Sequence, residues 1–275
     1  MHRSILSICA LVACLAVAAL APAASSAYAP VDEATIHPGV QTFTAGGQCT
    51  ANFIFTGAGN TYIGQAAHCA GTGAATDTNG CDAASLPLGT PVEIDGASRP
   101  GTLAYSSWIA MQQRGETDAN ACDYNDFALV KIDPADVDKV NPSVPGFGGP
   151  VGVGGPSSFG DDVFSYGNSS LRLGITLLSP KYGKVVETVG DGWSRTVYTA
   201  TPGIPGDSGS GFLDASGGAI GTLSTVALAP LAGSNGVADL GRELEYAAAS
   251  GTAVSLEDGT EPFTSDLVGA ILGSG

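Results

Sequence analysis

Three short stretches of this 275-residue sequence carry residue types able to perform nucleophilic catalysis: Gln65-Ala66-Ala67-His68-Cys69, Tyr124-Asn125-Asp126-Phe127-Ala128-Leu129-Val130 and Gly206-Asp207-Ser208-Gly209-Ser210-Gly211. A serine hydroxyl is a weak nucleophile at neutral pH and needs a base to take its proton during attack. Histidine suits that task because its ordinary pKa lies near ~6.5. A carboxylate must then fix the imidazole tautomer and stabilise the imidazolium. Tetrahedral intermediates also need backbone N–H groups aimed at the developing oxyanion. The glycines around Ser208 let the chain turn such donors inward, so the N–H groups of Gly206 and Ser208 are the natural candidates.

Each stretch alone has a plainer reading. A His before a Cys is often packing, an Asp at the start of an apolar run is often a turn residue, and Gly-Asp-Ser-Gly is only moderately specific. Their joint occurrence, in this order, favours His68, Asp126 and Ser208 as a triad. His37 lies outside any such motif, Asp123 does not directly precede the apolar run 127–130, and Ser210 lacks the preceding Gly-Asp. The hydrolase elbow G-x-S-x-G fails because Ser210 holds its fifth position.

The segments A-A-H-C, N-D-F-A-L-V and G-D-S-G-S-G resemble the three signature segments of chymotrypsin-like serine proteases, in that family's order of His, Asp, Ser. Subtilisins and α/β-hydrolases use other orders. The resemblance spans nearly the whole chain after its leader. Ser165-Tyr166-Gly167-Asn168 is similar to the family's G-W-G-N, and Gly221-Thr222-Leu223-Ser224 to its substrate-binding strand. It implies an all-β fold of two packed six-stranded antiparallel β-barrels with a C-terminal α-helix, and an endopeptidase working through an acyl-enzyme. By resemblance the S1 pocket holds Pro202, Ser224, Val226 and Gly236. Pro202 stands where trypsins carry an aspartate, so Arg and Lys should be refused at P1. Val226 shortens the pocket, favouring small apolar side chains, and Leu223 replaces the histidine of some glutamyl proteases. In animal relatives the residue matching Asp207 pairs with a newly cleaved N-terminus. Here that region reads Ile36-His37-Pro38-Gly39, not I-V-G-G, and Arg172 is a candidate internal partner of the kind bacterial relatives use. The alternatives are a silent protease-fold binding protein and an esterase with the same triad.

Positioning such residues requires a β-rich scaffold. Short apolar runs at 49–56, 61–66, 102–111, 127–132, 163–166, 173–178 and 196–201 are separated by turn clusters, as in antiparallel barrels. Helical spacing appears only at Val237, Leu240, Leu244 and Ala247 or Ala248, with Ser234 or Asn235 as cap. A Gly/Pro-rich stretch at 141–158 reads as a linker. It divides an N-terminal barrel (30–141) bearing His and Asp from a C-terminal barrel plus helix (159–275) bearing Ser, with the linker itself at 142–158.

Residues 1–29 read as a signal peptide: Arg3, an apolar run from Ile5 to Leu20, then A-x-A sites. A secreted, extracellular protein follows from it. The net charge of −16 argues against nucleic acid and anionic membranes as partners. A monomer acting on protein or peptide substrates, with no cofactor, is expected. Cys9 and Cys14 fall in the leader, and Cys49, Cys69, Cys81 and Cys122 remain. An even number in an exported chain suggests two disulfides with three possible pairings; the family resemblance implies Cys49–Cys69, with Cys81–Cys122 left over. No C-x-x-C occurs and only His37 and His68 follow the leader, so no metal site is expected.

Overall fold

The computed structural model describes residues 28–74, 78–226 and 232–273, so the leader lies almost wholly outside the described residues. Two antiparallel assemblies form the molecule. The first is an eight-stranded sheet built from β1 (Gln41–Thr44), β2 (Gly47–Thr50), β3 (Ile54–Gly57), β4 (Asn60–Gln65), β5 (Pro91–Ile94), β6 (Gly101–Ser106), β7 (Ala128–Lys131) and β14 (Ser255–Leu256). Its order is β14-β3-β4-β7-β6-β5-β1-β2. The second is a closed barrel of β8 (Asp162–Tyr166), β9 (Pro180–Val189), β10 (Ser194–Thr199), β11 (Gly211–Asp214), β12 (Ala219–Val226) and β13 (Asn235–Asp239), ordered β10-β13-β12-β11-β8-β9.

Turn chemistry sets the first sheet's hairpins. Ala45 and Gly46 have φ of 48° and 87°, and Ala58 and Gly59 have 49° and 77°. Two successive positive φ values are what a two-residue hairpin turn needs to match strand twist. Inside the barrel, Val163, Val185, Val197, Phe212, Ile220, Leu223 and Val237 make one buried cluster. A second cluster bridges the two assemblies, with Phe53, Phe55 and Phe127 on one side and Phe164, Leu213 and Leu240 on the other. Fully burying side chains of this size is worth about 1.5–3 kcal/mol each, so the seam between the halves is a core in its own right.

Several expectations change. The second assembly is the expected six-stranded barrel, whereas the first gathers eight strands: seven from the N-terminal half, and Ser255–Leu256, which returns from the C-terminal half and pairs with β3. The run at 102–111 splits: β6 ends at Ser106 and helix α1 spans Ser107–Arg114. A further short helix, α2, covers Ala119–Tyr124. Residues 173–178 form no strand but tight 3-10 turns, with Leu173 87% exposed; in the absence of a pairing partner, apolar character alone makes no strand. Val237 belongs to β13, paired with both β10 and β12. Helix α3 therefore starts only at Leu240 and runs to Ala249, capped by Asp239 and not by Asn235 or Ser234. Ladder pairing on both sides outweighs the helical spacing of one residue. A last helix, α4, covers Leu267–Gly273. Within the Gly/Pro-rich stretch, Phe147 is fully buried in the seam.

Candidate active site

His68 follows the end of β4 in a 3-10 turn spanning Ala67–Ala70. The disulfide Cys49–Cys69 ties that turn to β2, and Cys81–Cys122 is formed as well. Asp126 stands between α2 and β7, where Ser107 fixes the chain: its Oγ donates to the Asn125 carbonyl at 2.8 Å and accepts the Phe127 N–H at 3.0 Å. The two segments meet through two contacts. The His68 backbone N–H donates to Asp126 Oδ1 at 2.9 Å, and His68 Nδ1 lies 2.6 Å from Asp126 Oδ2. Ser224 Oγ donates to the same Oδ2 at 2.6 Å.

The charges follow from this geometry. Burial alone pushes the Asp126 carboxyl up, but the His68 charge and the hydrogen bonds from His68 and Ser224 outweigh it, and the net direction is below the ordinary carboxylate range. Burial pulls the His68 imidazole down, whereas the charge and hydrogen bond of Asp126 raise it, and the net direction is up. The imidazole side chain is 28% exposed and its carboxylate partner 7%. One face of the imidazole is thus open while the carboxylate beside it is shielded.

The Ser208 loop is held from both assemblies. Thr50 N–H donates to the Ser208 carbonyl at 2.8 Å, and the Gly206 carbonyl accepts from Gln48 Nε2 at 2.9 Å and Thr50 Oγ1 at 2.8 Å. Gly209 N–H donates to Leu223 at 2.7 Å on β12. Gly206 and Gly209 have φ of 96° and 89°, the region that favours glycine. A Cβ at Gly209 would stand 2.6 Å from the Thr50 carbonyl oxygen and 2.9 Å from Ala66 N. The serine turn is therefore packed directly on the strand end that leads into His68. Among the described residues, no acceptor engages the Gly206 or Ser208 N–H.

No family model matches the sequence, and no curated protein matches it. Solved structures do. Thermobifida fusca Protease A is similar with a TM-score of 0.54 at 18% identity, over 82% of this chain and 100% of that one. A glutamic acid specific serine protease that uses a histidine triad in substrate binding gives 0.51 at 19% identity, over 81% and 100%. Cellulomonas bogoriensis chymotrypsin gives 0.50 at 18%, over 81% and 98%. The chain has the chymotrypsin-like fold.

Within this chymotrypsin-like fold Asp207 is enclosed by internal partners. Its carboxylate accepts from Arg172 Nη2 at 2.6 Å and from the backbone N–H groups of Ser169 at 3.0 Å and Ile204 at 3.1 Å, and it lies 3.0 Å from Lys181 Nζ. Ile36 is buried and pairs with Val140, and its carbonyl accepts from the Asn141 N–H. Arg172 was identified from sequence; Lys181, the second residue of β9, was missed.

Of the four residues expected to line the pocket, Ser224 and Val226 lie on β12, Gly236 on the neighbouring β13, and Pro202 in the loop before the serine turn. Val226 pairs with Asn235, and Gly236 pairs with Thr225. The Pro202 carbonyl accepts from Arg172 Nη2 at 3.0 Å. The Ser224 side chain is committed to Asp126. Asn235 was missed: fully buried, it accepts from Gly203 N–H at 2.8 Å and donates to the Gly203 and Thr225 carbonyls at 3.3 Å. That amide joins the segment after Pro202 to the ends of β12 and β13.

Proposed function

We propose that this chain is a secreted serine endopeptidase with His68, Asp126 and Ser208 as its triad and a preference for small apolar P1 residues. The observation that carries the reading is the shielded His68–Asp126–Ser224 hydrogen-bonded set, beside a glycine turn bearing a serine. Ser208 Oγ attacks the scissile carbonyl carbon as His68 Nε2 takes its proton. Asp126 Oδ2 accepts from His68 Nδ1–H, which keeps the correct tautomer and stabilises the imidazolium. The N–H groups of Gly206 and Ser208 donate to the oxyanion; losing one such donor typically costs about 10²–10³ in kcat. When the tetrahedral intermediate collapses, the imidazolium protonates the leaving amine and Ser208 holds the acyl group. Water, deprotonated by His68, then releases the acid.

Asp207 neutralised by Arg172 and Lys181 supports an oxyanion loop that needs no cleaved N-terminus to order it. Two formed disulfides are in keeping with an oxidising compartment, and among the described residues no helix is long and apolar enough to cross a membrane. Treatment with a fluorophosphonate followed by mass spectrometry tests the reading. A single adduct on Ser208 is expected; a folded protein left unlabelled would favour a binding module instead. Comparing peptide and small-ester turnover on one preparation separates a peptidase from an esterase. A peptide library varied at P1 tests the pocket, and dominant cleavage after Arg or Lys would overturn that assignment alone, since Pro202, Ser224, Val226 and Gly236 offer no carboxylate to a buried cation.

A further inference from the structure

Helix α3 buries Leu240, Glu243 and Ala247 against the barrel. The spacing is that of an apolar stripe, yet its middle position is a carboxylic acid with no exposed surface. Glu243 Oε2 accepts from Thr222 Oγ1 at 2.8 Å, and Thr222 in turn accepts from Asn52 Nδ2 at 3.4 Å. Thr222 lies on β12 two residues before Ser224, whose hydroxyl holds Asp126. The Asp126 main-chain N–H also faces the Glu243 carboxyl, more loosely, and Oε1 has no full hydrogen-bond partner.

We propose that Glu243 is a positioning residue of the catalytic centre: from α3 it anchors Thr222 and the Asp126 main chain, and so fixes the Asp126 carboxylate against His68. The inference rests on the hydrolase reading above. The surroundings of Glu243 favour its neutral form. The groups facing it are Asp126 before β7, Asp239 at the start of α3, the Tyr105 phenol on β6 and Thr222 on β12, with no cation among them. The nearby Arg195 is spent on Asp239, 2.6 Å away. Burial, then the negative charges of Asp126 and Asp239, hold the Glu243 carboxyl well above the ordinary range. A neutral Glu243 adds no second negative charge behind Asp126, whereas an ionised one would.

The test compares Glu243→Gln, Glu243→Ala and Thr222→Val in the full chain, by steady-state kinetics across pH and by NMR of the His68 imidazole. Displacement of a catalytic group by an ångström can cost on the order of 10²-fold. Glu243→Ala and Thr222→Val should accordingly lower kcat about 10- to 100-fold, change KM less than about threefold, and broaden or shift the His68 Nδ1–H resonance. Glu243→Gln, isosteric and neutral, should rescue kcat to within about threefold of wild type and leave the His68 titration midpoint in place. A lower midpoint in Glu243→Gln would mean that Glu243 is ionised, and would overturn the neutral-acid role. Folded Glu243→Ala and Thr222→Val proteins with wild-type kcat and His68 resonance would overturn positioning altogether. Thr222→Val decides the matter should the alanine variant not fold. A wild-type protein that neither hydrolyses peptides nor takes up a fluorophosphonate would sink the hydrolase reading, while the NMR arms still judge the geometry.

Discussion

Replacing Lys181 by methionine probes the charge cluster under the serine loop through the pH dependence of stability. The ammonium is fully buried, 3.0 Å from Asp207 Oδ2. Burial pulls its pKa from 10.5 down to about 8, against the pull of Asp207 and with the help of the Arg172 charge. Unfolding returns it to the ordinary value, so between pH 8 and 10.5 the unfolded chain binds more protons at this site than the folded one. Stability from this group therefore rises with pH: its cost is fully present below pH 8 and is relieved by pH 10.5. A tenfold change in proton affinity is worth about 1.4 kcal/mol, which sets the full cost at about 3 kcal/mol and the part relieved between about pH 7.5 and 9.5 at about 2 kcal/mol. Lys181→Met removes the titrating group while Arg172 still holds Asp207, 2.6 Å away. Urea denaturation of both proteins at the two pH values isolates the effect, because tyrosines and other groups cancel in the comparison. The stability of wild type relative to the variant should rise by about 2 kcal/mol on going to the higher pH, a change of roughly 1 M in relative midpoint. A difference that stays constant within about 0.5 kcal/mol would refute the assignment of a depressed Lys181 pKa.

Ser208→Ala and His68→Ala should each abolish nearly all peptide hydrolysis, and the double variant should be little worse than either, since triad members act as one unit; strictly additive losses would show that they do not share a step. Because the Asp126 charge and hydrogen bond outweigh desolvation at His68, the acid limb of kcat/KM should have its midpoint above the ordinary 6.5, with activity falling as pH drops through it. A kcat/KM profile flat from about pH 4 to 8 would rule out a histidine base. Ser224→Ala leaves the buried Asp126 without one of its donors and should cost about 1.5–3 kcal/mol of stability, the usual worth of a hydrogen bond to a charged group; denaturation midpoints within error of wild type would count against that bond.

The residues proposed as the triad stood out in the sequence because their chemistry is local: each lies in a short motif whose neighbours are close in sequence. The glycines at 206 and 209 also announced a serine turn, since only their backbone freedom permits φ near 90° there. What holds these motifs together was not legible. Asp207 met Lys181, Glu243 came to lie behind Asp126, and Asn235 bridged Gly203 to β12 only after strands distant in sequence had paired. The same reason explains the misplaced helix start. Val237 has helical spacing to Leu240, but two neighbouring strands supply it with ladder partners, and only Asp239 is free to cap. A strand at Ser255–Leu256 carries no local signal, because its existence depends on the open edge of β3, about 200 residues away. The sequence by itself therefore determined which atoms could attack, accept a proton and orient the base. Which buried charges neutralise one another, and which side chains hold the Asp126 carboxylate in place, was decided by tertiary pairing. Burial is a property of the assembled molecule, and burial is what makes an unpaired charge or donor costly enough to demand its partner.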